Sequence, residues 1–246
     1  MIASAQAAGT DTGWPRRLVP ELLDELPPDD PRALRSRRDL KLVNGIMGHA
    51  ALLARALDAL VTTSPLRLVE LGAGDGTVLL RLAKRRARRW PKVAVTLLDM
   101  QPTVTPATLA ALRAVGWSVE VVAADALEWL EQQSPHDRDA VVLANLFVHH
   151  FEGERLARLL AGVAAHARAF VCGEPRRARL ALLGSRLLWA IGCNDVTRHD
   201  AVVSVHAGFR KRELTAEWLR AAGSGWNVDE RPAGAFSHLF VARRAP

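Results

Sequence analysis

The chain has 246 residues, 49% hydrophobic and 24% charged, which suits one globular α/β domain with a modest extension and excludes a disordered or fibrous class. The net charge of +7 comes with no tyrosine, and its arginines are scattered over predicted helix faces (Arg81, Arg85, Arg88), so the charge reads as solvated surface and no nucleic-acid partner is expected. Cys172 and Cys193 form neither a metal spacing nor a disulfide framework, and no apolar run reaches membrane-spanning length, Leu180 to Ile191 being broken by Gly184 and Arg186.

Residues 1–30 are small, polar and proline-containing and are expected to be mostly a mobile arm, with Leu18, Val19, Leu22, Leu23 and Leu26 suited to one short docked helix. The start has no basic segment followed by an apolar one, so a cytoplasmic location is expected. Asp30-Pro31 is a helix start, an N-cap acid before a proline at the first helical position. From there to residue 64 apolar residues recur at helical spacing, predicting a helical cap broken near Asn44-Gly45 and Gly48. The main domain is expected over 65–246.

The apolar run Leu66 to Leu71 predicts a buried strand, and Thr77 to Arg89 the helix after it. Between them lies Gly72-Ala73-Gly74-Asp75-Gly76, a turn where backbone can approach a ligand closely and the following helix offers unpaired N–H groups. The dinucleotide fingerprint is G-x-G-x-x-G. Here the glycines are one residue tighter and an acid, Glu70, ends the strand. A carboxylate at that place repels pyrophosphate and suits a cation.

A second strand, Val93 to Asp99, also ends in an acid, positioned to accept from a ribose diol, with Met100 next to it for an adenine face. Ala107 to Val115 predicts a helix and Trp117 to Ala123 a third strand. Asp125-Ala126 opens a helix to about Gln132, where the aspartate can accept from an adenine amine, cap the helix, or do both. Ala140 to Leu146 is the near-continuous apolar run of a central parallel strand. It leads through Asn145 to Phe147-Val148-His149-His150-Phe151, so two histidines fall beyond a strand's carboxyl end, where ligands of open α/β sheets sit. No third metal ligand has suitable spacing, and no metal is expected. A helix over Gly153 to Ala167, a strand over Ala169 to Gly173 and a helix over Arg176 to Ile191 follow, then a polar segment, Asn194 to Asp200. Arg212 to Ala222 predicts a further helix, and two antiparallel strands, Trp226 to Arg231 and Phe236 to Ala242, close the chain.

The ordered set Glu70-Leu71-Gly72-Ala73-Gly74-Asp75-Gly76, Asp99, Asp125 and Asn145 resembles the class I S-adenosylmethionine (SAM) methyltransferases over roughly residues 66 to 243. The resemblance implies a Rossmann-like sheet of seven mostly parallel strands, the last antiparallel, with a helical extension in front. It implies SAM as cofactor, with Glu70, Gly72 and Asn145 near the methionine moiety, Ala73, Gly74 and Gly76 shaping the loop, Asp99 on the ribose, and Met100, Asp125 and Ala126 about the adenine. Asp39 to Asn44, Phe147 to Phe151 and Arg198 to Ser204 look like small bacterial natural-product methyltransferases that accompany type III polyketide synthases. That narrower likeness implies a phenolic or quinone-like substrate, O-methylated in preference to C-methylated. A histidine suits deprotonation of such a hydroxyl, and His149, His150 and His199 are the candidates. Arg179 to Ile191 carries more apolar surface than one helical stripe needs and suits the wall of a lipophilic pocket, with Arg198, His199 and Asp200 at its mouth. A SAM-binding protein without catalysis and an NAD-type oxidoreductase remain as alternatives, and the oligomeric state is open.

Overall fold

A computed structural model describes residues 14–27, 29–60, 67–133 and 139–245. A short helix α1 (Leu22–Glu25) precedes two longer ones, α2 (Pro31–Met47) and α3 (His49–Leu60). Strands and helices then alternate: β1 (Arg67–Leu71), α4 (Thr77–Arg86), β2 (Ala94–Asp99), α5 (Pro106–Ala114), β3 (Ser118–Ala123), α6 (Ala126–Gln132), β4 (Ala140–Asn145), α7 (Gly153–His166) and β5 (Ala167–Pro175). Three helices, α8 (Arg179–Arg186), α9 (Asp195–Ala207) and α10 (Glu213–Ala222), lead to β6 (Trp226–Ala233) and β7 (Ser237–Arg244). The predicted boundary at residues 64 and 65, the start of the first strand at Leu66 and residues 1–13 of the arm lie outside the described residues.

The seven strands form one sheet in the order β3-β2-β1-β4-β5-β7-β6. Only β7 runs against its neighbours, inserted between β5 and β6. The central strands are apolar because both their faces are covered, and every residue of β4 is buried. Side chains alternate between faces with period two. Leu68 on β1, Val95 and Leu97 on β2, and Val141 and Leu143 on β4 join the core beneath α3, α4 and α5. The same alternation puts Glu70, Asp99 and Asn145 on that face, one step further along, at the carboxyl ends of three adjacent strands. Phe170 and Cys172 on β5 pack on the other face with Leu160 and Trp218, and Glu174 continues their series.

Local signals explain most boundaries. Asp30 accepts from the Arg32 N–H and caps α2, with Pro31 at its first position. Contrary to expectation, α2 runs through Asn44-Gly45 and stops only at Gly48, which is left-handed (φ 68°) and donates to the carbonyls of Asn44 and Gly45. Gly45 lies against the Arg81 side chain of α4, whose guanidinium would be 3.3 Å from a Cβ placed there. The helix predicted over Arg176 to Ile191 is two pieces: α8, then a 3-10 turn over Leu188–Ile191 ended by left-handed Gly192. The polar segment after it is the first half of α9, with Asn194 as N-cap accepting from the Thr197 N–H. The partners of its polar residues are distant in sequence: Thr197 is buried against Ser36 and Asp39 of α2.

Asp39, only 7% exposed, fixes α2 to α9. It accepts from Asn194 N at 2.8 Å, Thr197 Oγ1 at 3.3 Å and Arg35 Nε at 3.1 Å. Asp39→Ala leaves these donors unpaired and is expected to cost about 1–3 kcal/mol, seen as a lower unfolding midpoint with faster amide exchange confined to α2 and the start of α9.

Candidate functional site

All three glycines of the turn have positive φ, 67° at Gly72, 54° at Gly74 and 69° at Gly76. A Cβ on Gly72 would lie 2.3 Å from the Phe147 ring, while one on Gly74 would meet nothing within 4 Å, so at Gly74 bare backbone faces open space. Gly76 packs on Leu97 and starts α4, and Ala73 donates to the Leu98 carbonyl at 3.0 Å. Gly72 and Gly74 line the main cavity; Ala73 and Gly76, expected among the ligand residues, shape the turn from behind it.

Glu70 is 2% exposed, and its Oε2 has no hydrogen-bond partner among the described residues. Burial, reinforced by the negative charges of Asp75 and Asp99, pushes its pKa up to about 8. Asp99 accepts from Gly74 N and Gln101 N, each at 2.8 Å, and so clamps the glycine turn to the end of β2. Asp75 pairs with Lys41 of α2 at 2.7 Å, which draws that helix over the turn. Asp125 caps α6 through Leu127 N at 2.7 Å and Glu128 N at 3.3 Å, and lines the cavity as well. Ala126 and Met100 are also in the lining, Met100 at the rim with 69% of its surface exposed. Asn145 is held from behind by His49, whose Nδ1 lies 2.5 Å from the Asn145 amide oxygen and whose Nε2 lies 2.9 Å from Ser237 Oγ. Burial keeps His49 neutral, so Nδ1–H donates to Asn145 and Nε2 accepts from the serine.

Leu146 then takes a left-handed backbone (φ 52°), rare for a bulky side chain, and turns the chain away from β4. The next three N–H groups, of Phe147, Val148 and His149, all donate to the buried carboxylate of Glu174 at 3.0–3.3 Å. The His149 ring donates to it as well, Nδ1 to Oε2 at 2.7 Å. Burial works against a charged Glu174, but the His149 ring and the backbone donors outweigh it and hold the carboxyl below its ordinary value. Burial likewise works against a charged His149, yet Glu174 and Glu21 push its pKa up to about 9. Burial and the His149 charge pull His150 down to about 4. The two rings lie against each other, centroids 4.2 Å apart.

Glu21 arrives from the N-terminal segment, which is docked from Trp14 onward and carries α1 where the sequence suited one short docked helix. Arg17 N donates to His206 O at 3.1 Å, and Arg16 to the carbonyls of Ala207 and His149 at 2.6 and 2.7 Å. Asp200 accepts from the N–H groups of Leu22 and Leu23 at 2.8 and 3.0 Å, capping α1, and Ser204 donates to Glu21. Asp200 therefore lines the cavity as an anchor. His199 does not line it: its ring is largely exposed and bonds Asp200 at 2.9 Å. Successive helical residues turn by about 100°, so with Asp200, Ala201 and Ser204 facing the cavity, His199 and Arg198 face elsewhere.

One cavity of about 1060 Å³ joins these parts. The glycine turn, Glu70, Asp99 and Asp125 form one end. His149, His150, Glu21 and Asp24 lie at the other, with Leu18, Val19, Leu187, Leu188 and Ile191 supplying apolar wall. Only part of the expected lipophilic wall is there: Leu180, Leu183 and Trp189 are exposed and outside the lining. Sequence reading missed Glu21, His49 and Glu174 as site residues. Glu174, an acid closing the apolar run Phe170 to Cys172, carried the same signal that singled out Glu70; Glu21 and His49 carried none.

Residues 68–169 match the methyltransferase domain family. No curated protein matches the chain in sequence. Among solved structures it is similar to the plantazolicin methyltransferase BamL in complex with a triazolic desmethylPZN analog and SAH (TM-score 0.62, 10% identity, 90% of this chain and 92% of that one). It is also similar to the mitomycin 7-O-methyltransferase MmcR (0.55, 19%, 91% and 60%) and to the pyocyanin biosynthetic protein PhzM (0.57, 20%, 88% and 60%). Sheet order and glycine turn are those of the class I methyltransferase fold that these structures share, and the methyltransferase-domain match lies within that sheet. Among the described residues no helix is long and apolar enough to cross a membrane.

Glu70 gives the fold a pH signature. Its carboxyl titrates near 8 in the fold against an ordinary 4.5, so it binds its proton more tightly folded than unfolded, and its contribution to stability falls as pH rises through that window. Glu70→Gln should remove this slope: denaturant unfolding of the ligand-free protein at several pH values is expected to show the variant gaining on the parent steadily from about pH 5 to about pH 8.

Proposed function

We propose that the chain transfers a methyl group from SAM to a hydroxyl of a small, mostly apolar aromatic molecule. The reading is carried by the single cavity with two chemically different ends. A buried carboxylate with an unpartnered oxygen is costly on its own and is matched by an ammonium group, which SAM carries and a pyrophosphate does not. That, with the matched family, sets aside the oxidoreductase alternative. Glu70, Gly72 and Asn145 then face the methionine moiety, Asp99 uses its remaining lone pairs for the ribose diol, and Met100, Asp125 and Ala126 border the adenine. Ala73 and Gly76 act from behind, by holding the turn.

SAM supplies an already activated methyl group, so what the chain must provide is alignment. The apolar wall and the few polar groups at the far end suit a planar ligand fixed at one point, its hydroxyl beside His149 and His150. The neighbours named for mitomycin 7-O-methylation, plantazolicin methylation and pyocyanin biosynthesis support a natural-product substrate. A cavity walled by leucine and isoleucine and lined by the acids Glu21 and Asp24 is poorly matched to nucleic acid. Carbon methylation of an electron-rich ring would use the same cavity and is told apart by the product's NMR spectrum.

Methyl transfer from labelled SAM to a panel of acceptors tests this. Alkylated phenols and quinols are expected to accept methyl, or to compete for it, far better than nucleosides or peptides. SAM should bind and NAD should not. Asp99→Asn keeps one acceptor oxygen and loses the charge; it is expected to weaken SAM by about 1.5–3 kcal/mol in equilibrium dialysis. SAM binding with no transfer to any acceptor would favour a non-catalytic binder, and preference for nucleosides or peptides would rule out the substrate class.

A further inference from the structure

Glu21, His149 and His150 bring three donor atoms within 4.8 Å of one another, and all three residues line the substrate end of the cavity. Adjacent histidines alone gave no metal spacing in the sequence; the third donor comes from a segment far away along the chain. The His149 ring is fixed by its Nδ1–H bond to Glu174 at 2.7 Å, which leaves Nε2 to bind either a proton or a cation. Nε2 is buried, and the nearest carboxylate oxygen, Glu21 Oε1, stands 3.5 Å from it. That is long for an N–H···O bond. It is close to the roughly 3.4 Å that separates two donors bound to one tetrahedral ion at about 2.0–2.1 Å.

The surroundings are those of a built site. A histidine ligand usually gives its other ring N–H to a carboxylate, which fixes the tautomer and raises the basicity of the ligating nitrogen. Glu174 does this, and is itself held by three backbone N–H groups. Glu21 is steadied by Ser204, and its segment by Asp200. The His150 ring stands 3.8 Å from Asp24, beyond hydrogen bonding, and lies on the His149 ring. Two acids beside the His149 ring compensate a positive charge there.

We propose that Glu21, His149 and His150 form a divalent-cation site of the zinc type, with one coordination position open to the cavity. Two imidazoles and a carboxylate with a vacant fourth position form the donor set of reactive, not structural, zinc sites. The methyltransferase reading enters only through the use made of that position. A substrate hydroxyl bound there loses its proton to solvent at a lower pH than in free solution, as metal-bound water does. The site would then hold the acceptor oxygen as an anion.

The test is titration of the chelator-treated, full-length protein with Co²⁺, whose visible absorption reports tetrahedral nitrogen and oxygen ligation. A single saturable site is expected, displaced by Zn²⁺. Glu21→Gln and His150→Ala should each weaken it at least about tenfold. Both variants should keep the parent's SAM affinity, which also shows that they fold. SAM binding without any Co²⁺ site would mean an imidazolium–carboxylate pair only and would overturn the proposal while leaving the methyltransferase reading intact. Co²⁺ binding that survives both substitutions would also overturn it.

Discussion

Glu70 is buried at the edge of the sheet with one carboxyl oxygen, Oε2, lacking a hydrogen-bond partner among the described residues. Strand alternation turns it onto the α3/α4 face of the sheet, and its position as the last residue but one of β1 puts it at the carboxyl edge, beside Asp99 and Asn145. Burial and two nearby acids make the charged form unfavourable, so the empty protein keeps a proton on it near neutral pH. Its neighbours are all engaged: Asp99 with Gly74 and Gln101, Asp75 with Lys41, Asn145 with His49. The glycine turn is thus held rigidly around one uncommitted carboxyl, an arrangement that costs stability until a cation arrives.

The other half of the cavity hangs on Glu174. One carboxylate collects the three N–H groups of the turn after β4 and the ring of His149, which fixes the histidine pair and seats Phe147 over Gly72. Gly72 accordingly serves both halves: its missing side chain makes room for Phe147, and its backbone borders the cavity end that holds Glu70 and Asp99. The N-terminal segment then lines the histidine end and adds Glu21, with Asp200 and Ser204 holding it down. The two halves are coupled through rigid elements, since β4 carries Asn145 to one and the histidines to the other.

What could be read from the sequence was whatever local pattern encodes. Apolar runs and their spacing located the seven strands, and acids closing such runs located Glu70 and Asp99. The Asp30-Pro31 start of α2 was a local capping signal and was found as such. What escaped depends on contacts across the chain. The first half of α9 read only as a polar segment, because the partners of Thr197 and Asp200, on α2 and the N-terminal segment, are distant in sequence. His199 was a candidate base as the histidine of the Arg198 to Ser204 stretch, but helix rotation faces it away from the cavity. Glu21 lay in a stretch whose composition suggested mobility, although the backbone of that segment is tied to α9 at several points. No local rule reports such ties.

The account turns on Glu70 receiving the ammonium of SAM, and proton linkage reads this directly. SAM binding is followed by calorimetry near pH 7 in buffers of different ionisation enthalpy, for the parent and for Glu70→Gln. If Glu70 is protonated in the empty site and charged against the ammonium in the complex, the parent releases most of one proton on binding, its affinity rises with pH towards about 8, and the variant releases none. Equal proton release by parent and variant, or tight SAM binding by both with no pH dependence, would contradict it.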